Sequence, residues 1–294
     1  MNTFVFRILL EVSKEHSLTR AAEHLHITPS AVSHAISTYE NELGFPVFIR
    51  RKNGVQPTKE GTQILRIAQT ILNNEDTLSQ TVSEINGIEK GTVVLGAFTS
   101  IHRNWTADII SSFHAQYPNI DVIVYESNYA AILSNLQSGT YDLGFTTRPS
   151  QTLFSTKIFS DPWMCICPAS LQPETDGHIT VSELDWSRLI VPNASYNDEI
   201  IAFLKKHRIK TEPRFYIDDA ESVYALVEKG LGFALFPKLM LKRAPESVRI
   251  LALYPNESRP IYLSSAKRND MSPATKKLFD HIVDYTGKLP SLAV

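Results

Sequence analysis

The chain is 294 residues long, with 29 Lys and Arg against 31 Asp and Glu and a formal net charge of −2, which excludes a nonspecific coater of nucleic acid. Hydrophobic residues at 43% and charged residues at 20% suit a globular protein, and no apolar run approaches the roughly 18–20 residues of a membrane span. The length exceeds one typical domain of ~100–200 residues, so two or three folded units are expected.

The N-terminus, MNTFVFRILLEVSKEH, is amphipathic and acidic, without the basic start and cleavage site of a secretion signal, so a cytoplasmic protein is expected. Next, Leu18, Ala21, Ala22 and Leu25 fall at i, i+3, i+4 and i+7, one apolar stripe with Ser17 placed to cap it. A second helix opens with Thr28 as N-cap and Pro29 at its first position, and Val32, Ile36, Tyr39 and Leu43 continue the buried side. Pro29, Ser30, Ser33, His34 and Ser37 are left toward the outer face, where short side chains reach base edges in a helix-turn-helix. An ordinary αα-hairpin with a solvated polar face is the competing reading. Residues 44–56 weigh against that hairpin: Gly44 and Pro46 stop the helix, Val47-Phe48-Ile49 reads as a strand, and Asn53-Gly54 is a hairpin turn. This is a wing, with Arg50, Arg51 and Lys52 at its tip for phosphates or the minor groove. The expected DNA-contacting set is Thr28, Pro29, Ser30, Ser33, His34, Ser37, Arg50, Arg51 and Asn53.

The first helix with Phe4, Phe6, Ile8, Leu9 and Val12 precedes Ser17-Leu18-Thr19-x-Ala21-Ala22-x-x-Leu25 and Thr28-Pro29-Ser30-Ala31-Val32-Ser33. Glu42-Leu43-Gly44, Phe48-x-Arg50 and Pro57-Thr58-x-x-Gly61 come after them, and together these motifs resemble the N-terminal signature of LysR-type transcriptional regulators. One departure is His34, where that family often carries arginine.

Thr58 can cap a long helix in which Ile64, Ala68, Ile71, Leu78, Val82 and Ile85 recur at steps of four and three, Glu75 taking the skipped position. A 3.5-residue period over three heptads predicts a seam about 40 Å long that pairs with another helix. A helix lying on its own globular domain is the alternative. The resemblance implies antiparallel pairing of two such linkers, hence a homodimer or homotetramer presenting paired reading heads.

Glu89-Lys90-Gly91 reads as a hinge, after which the rhythm becomes strand, helix, strand. Strands are expected at Thr92–Leu95, Ile120–Tyr125 and Leu143–Phe145, then at Leu189–Val191, Phe215–Ile217 and Phe233–Phe236, with helices between them and a last helix from Pro273 to about Thr286. The expected fold is mixed: an N-terminal α-helical winged helix-turn-helix (1–58), a linker and dimerisation helix (59–88), and a C-terminal α/β two-lobed periplasmic-binding-protein-like domain (89–294). Lobe I takes about 92–161 and 268–294, lobe II about 162–267.

Ligands of open α/β sheets sit beyond the strand carboxyl ends. Thr99 and Ser100 follow the first strand, Thr146, Thr147 and Arg148 the third, and Asn193 and Ser195 the first strand of lobe II. Hydroxyls and free N–H groups at a helix start suit an anion, so the expected effector is a small anion, most simply a carboxylate, with no other cofactor. Capping and turn chemistry is the alternative for each residue alone, and Asp218 and Asp219 on the same rim read as caps. By resemblance, these positions border the inducer pocket. Cys165 and Cys167 share one face of an apolar strand and read as core thiols; a thiol sensor is the alternative.

No Gly-x-Ser-x-Gly elbow, His-Glu-x-x-His or phosphate loop is present, and the nine histidines do not fall at metal-ligand spacings, so neither an enzyme nor a metal site is expected. The expectation is a sequence-specific DNA-binding transcriptional regulator modulated by a small effector, with operator DNA, a second copy of itself and RNA polymerase as partners and no membrane. The rival is a cytoplasmic solute-binding receptor with an N-terminal interaction module, against which the missing secretion signal counts.

Overall fold

The computed structural model describes residues 3–51, 54–192, 197–217, 219–242, 244–266 and 271–290. Three helices open the chain: α1 (Phe4–Glu15), α2 (Leu18–His24) and α3 (Pro29–Leu43). The hairpin β1 (Phe48–Arg51) and β2 (Gly54–Pro57) comes next, then the 27-residue α4 (Lys59–Ile85). The caps lie where the hydroxyl residues place them. Ser17 accepts from the Arg20 N–H at 3.3 Å, Thr28 from Ala31 at 3.2 Å and Thr58 from Gly61 at 2.8 Å. Gly61 is required by packing, since a Cβ there would stand 2.0 Å from the Val47 carbonyl oxygen. The core of this unit combines Phe6, Leu9, Ala21, Ala22, Val32 and Ile36 with Leu65 and Ala68 of α4.

That last contact divides the expected seam. Ala68 is 1% exposed, and Ile64 and Ile71 pack on the same core, because α1 lies along the first half of α4. These three residues are therefore occupied within their own chain. Glu75, at the skipped position, accepts from Thr3 at 2.9 Å and Arg7 at 3.3 Å, binding α4 to α1. Beyond it Leu78, Val82 and Ile85 are 66%, 49% and 80% exposed.

The other face of α4 docks on the C-terminal domain through polar contacts. Asn73 donates to the Gly139 carbonyl at 2.8 Å, Gln80 accepts from the Ala274 N–H at 3.2 Å, and Lys277 pairs with Glu84 at 3.3 Å. In that domain β3 (Gly91–Ala97), α5 (Thr99–Ile101), a π-helical turn (His102–Thr106) and α6 (Ala107–Gln116) run into β4 (Ile120–Glu126), α7 (Tyr129–Ser138) and β5 (Leu143–Thr146). The 15-residue β6 (Phe154–Pro168) leads to β7 (His178–Thr180), β8 (Ile190–Pro192), α8 (Asn197–Lys206), β9 (Phe215–Ile217), α9 (Ala220–Glu228) and β10 (Ala234–Pro237). Strands β11 (Val248–Tyr254) and β12 (Ser258–Ser265) and helix α10 (Pro273–Gly287) complete it.

The main sheet runs β4-β3-β5-β12-β6-β11-β7, with β10 also paired to β6, while β8 and β9 form a separate parallel pair. Strand β6 serves both lobes: Phe154–Pro162 pairs with β12 in lobe I, and its second half pairs with β10 and β11 in lobe II. The expected lobe boundary is corrected here. Because β12 lies between β5 and β6, the chain re-enters lobe I at Ser258 and not at about residue 268. Each lobe has its own core, around Leu95, Ile109, Phe113 and Leu278 in lobe I and around Cys165, Ile190, Val227 and Phe236 in lobe II.

Candidate DNA interface and effector cleft

On α3, Thr28, Pro29, Ser30, His34 and Ser37 are exposed, and Ser33 is half-buried beside the wing. Arg50 donates to the Ser33 hydroxyl at 3.0 Å, a bond that fixes the wing against the reading helix. The structure thus brings together two residues given separate roles from sequence. Thr28 and Ser30 share a hydroxyl bond at 3.0 Å, Arg51 is exposed, and Asn53 lies outside the described residues. The helix start, its outer face and a cationic hairpin make one surface, the geometry with which a winged helix-turn-helix enters the major groove. Behind it, the ligand atoms of Glu11, Glu15 and His24 lie within 4.8 Å of one another. Lys14 and Arg20 already neutralise these two carboxylates at 3.6 Å each, so the trio reads as an ionic brace between α1 and α2.

Between the lobes the expected residues divide. Thr99 donates its hydroxyl to Glu126 at 2.6 Å, so only its backbone N–H, at the start of a helical run, remains for a ligand. Ser100 is 1% exposed and accepts from Arg259 at 2.6 Å. Thr146 is buried and bonded at 2.8 Å to Ser264, which bonds Ser155, so its hydroxyl is already engaged with the neighbouring strand. Thr147 is buried and bonded to Glu199 of α8, and Arg148 is exposed with its charge acting on the same glutamate. Asn193, Ser195 and Asp218 lie outside the described residues, and Asp219 caps α9 by accepting from the Ser222 N–H at 2.8 Å.

At the junction of the lobes stands a residue absent from the sequence expectation. Arg259, 2% exposed, donates to Asp161 Oδ2 at 3.0 and 2.7 Å, to Ser100 and to Tyr129, and lies 5.1 Å from the Phe98 ring centroid. Asp161 Oδ1 accepts from the Leu239 N–H at 3.0 Å, and Asn104 links the carbonyls of Ser100 and Leu239 at 2.7 Å each. Burial works against the Arg259 charge, but Tyr129, Asp161 and Glu199 outweigh it and hold its proton more firmly than usual. Burial raises the Glu199 carboxyl, against the pull of Arg259, Thr147 and Arg148, and its Oε2 is buried with no partner among the described residues. Arg259 and Asp161 were missed because a lone charge beside an apolar strand usually marks a sheet edge; Glu199 looks like an ordinary acidic first-turn residue.

Cys165 and Cys167 are both buried in the lobe II core. The hydrogen bond with Cys167 and burial push the Cys165 thiol up, away from the reactive thiolate. No helix among the described residues is long and apolar enough to cross a membrane.

Residues 5–62 match the family described as "Bacterial regulatory helix-turn-helix protein, lysR family" and residues 86–287 the "LysR substrate binding domain". The HTH-type transcriptional regulator YvbU of Bacillus subtilis (strain 168) is 25% identical over 273 residues, 92% of this chain and 94% of its own. The HTH-type transcriptional regulator IlvY of Escherichia coli (strain K12) is 24% identical over 252 residues, covering 83% and 84%. A full-length OxyR variant from Pseudomonas aeruginosa superimposes with a TM-score of 0.78 at 21% identity over both whole chains. CbnR in complex with its target DNA superimposes at 0.57 and 17% identity, covering 98% of this chain and 100% of that one. With a reading head at one end and a two-lobed sensor at the other, the chain belongs to the LysR family of DNA-binding, effector-modulated transcriptional regulators.

Proposed function

We propose that the effector is a small carboxylate that also carries a hydrogen-bond donor, held between the lobes, and that it alters how a homodimer or homotetramer engages operator DNA in the cytoplasm and acts on RNA polymerase. The observation that carries this is the conjunction, at the lobe junction, of the Thr99 N–H, which has no acceptor among the described residues, with the Glu199 Oε2, buried with no partner among the described residues. The first suits an anionic oxygen, with Arg148 nearby to add attraction. The second suits a donor on the same molecule. Arg259 is already matched by Asp161, so it shapes the cleft floor and does not by itself demand an anion. Leu78, Val82 and Ile85 are the proposed contacts between copies, being the apolar part of α4 that its own chain leaves exposed.

A thermal-shift screen with small carboxylates, amines and neutral analogues tests the effector class. A ligand at 100 times its Kd adds about 2.7 kcal/mol of stability. The expected hits are hydroxy- or amino-carboxylates whose effect weakens in Glu199→Gln and Thr147→Val while operator binding without ligand is retained. Hits confined to cations or neutral molecules would overturn the assignment.

A further inference from the structure

A cavity of about 400 Å³ lies outside the interlobe cleft, where α4 meets the lobe I strand ends and the start of α10. Its volume is that of a small-molecule site. Among the described residues three charged ones line it: Arg7 from α1, Asp76 from α4 and Asp142 from the turn before β5. Arg7 is already paired with Glu75 at 3.3 Å, which leaves, among the described residues, two lining carboxylates, one from the linker helix and one from the sensor. Each accepts one fixed donor, Asp76 from Gln80 at 2.7 Å and Asp142 from the Val94 N–H at 2.7 Å. Ser265 also lines the cavity; it is 1% exposed and its Oγ has no partner among the described residues. A buried hydroxyl left unbonded costs stability unless something in the adjoining space bonds it.

We propose that this cavity is a second ligand site, for a small organic ammonium whose N–H groups bond Asp76, Asp142 and the Ser265 hydroxyl. Threonine, serine and amide groups fill out the wall, which matches a hydrogen-bonding organic cation better than a bare metal ion wanting several carboxylates. Asp76 belongs to the linker and Asp142 to the sensor, so an occupant ties the two together and sets the angle at which the reading head leaves the sensor. Burial, offset by the Val94 N–H and reinforced by Asp76, raises the Asp142 carboxyl to about 6. Binding therefore strengthens as pH rises through that value and both carboxylates carry charge.

The test is isothermal titration of the full-length protein with 1,4-diaminobutane at pH 7.5, with 1,4-butanediol and magnesium chloride titrated in parallel. Saturable diamine binding is expected, weakened about tenfold or more in both Asp76→Asn and Asp142→Asn, since each removes a charged hydrogen bond. It is also expected to weaken at pH 5.5, to fall in Ser265→Ala, and to persist in Asp121→Asn on the exposed β4 face. Butanediol should give no heat. Absence of diamine binding, undiminished binding in both aspartate variants, or displacement of the diamine by equimolar magnesium would overturn the proposal; circular dichroism of each variant separates lost binding from lost folding.

Discussion

Arg259→Met deletes the guanidinium while keeping an unbranched stem against Phe98, so it separates charge from packing. Asp161 is 0% exposed, and with Arg259 gone it keeps only its backbone donors, the Leu239 N–H at 3.0 Å among them, against a full negative charge. Ser100 and Tyr129 lose a donor in the same step. Breaking a buried ion pair from one side typically costs about 3–5 kcal/mol, because the remaining charge is stranded. Asp161→Asn in the same background removes that charge and still accepts from Leu239, so the double variant should recover roughly half of the loss. The assay is urea unfolding of the full-length protein, followed by tryptophan fluorescence, for both single variants and the pair. A pH series adds a sign: burial already raises Asp161, and without Arg259 it rises further above its unfolded value. The stranded group then takes up a proton as pH falls, so the Arg259→Met deficit should narrow from pH 8 toward pH 5 while the double variant stays flat. A single-variant loss below about 1 kcal/mol, or a double variant as unstable as the two singles summed, would refute the reasoning.

Asp142, at about 6 against an unfolded carboxyl near 3.9, contributes stability that is full below about pH 4 and lost as pH rises through 6. Asp142→Asn keeps the acceptor for Val94, so it should stabilise the chain by about 2–3 kcal/mol at pH 8 and by little at pH 4, read from thermal melts across that range. Leu78→Asp with Ile85→Asp should dissociate the oligomer in sedimentation while leaving the reader core intact, because both side chains are exposed within one chain; an unchanged oligomer removes α4 from the interface. Arg51→Ala should weaken all DNA sequences and flatten the salt slope by about one unit. Ser33→Ala should cost ~1 kcal/mol or more at one operator position, partly through the wing bond to Arg50; equal losses on operator and random DNA would show that Ser33 reads no base.

Local patterns settled the reading head. The caps at Ser17, Thr28 and Thr58 and proline at the first turn of α3 act within a few residues, so their physics is written in the order of the chain. The alternation of strands and helices from Thr92 to Phe145 and from Leu189 to Phe236 is legible for the same reason. Strand β6 is legible only at Trp163–Cys167, because its lobe I half carries too many polar residues to show as an apolar run, and β12 leaves no such signal. Pairing between those two strands is a choice among distant segments, and it decides where lobe I resumes. It also decides the chemistry of the cleft: Arg259 meets Asp161 across 98 residues and Ser100 across 159, distances at which no periodicity in the sequence carries a signal. The same holds for α4, whose heptad pattern is real but whose first half the fold spends on α1, leaving Leu78, Val82 and Ile85 free. Helix period and capping are short-range and survive in one dimension, whereas burial of a charge, or the sharing of an apolar stripe between two partners, exists only once distant segments have packed together.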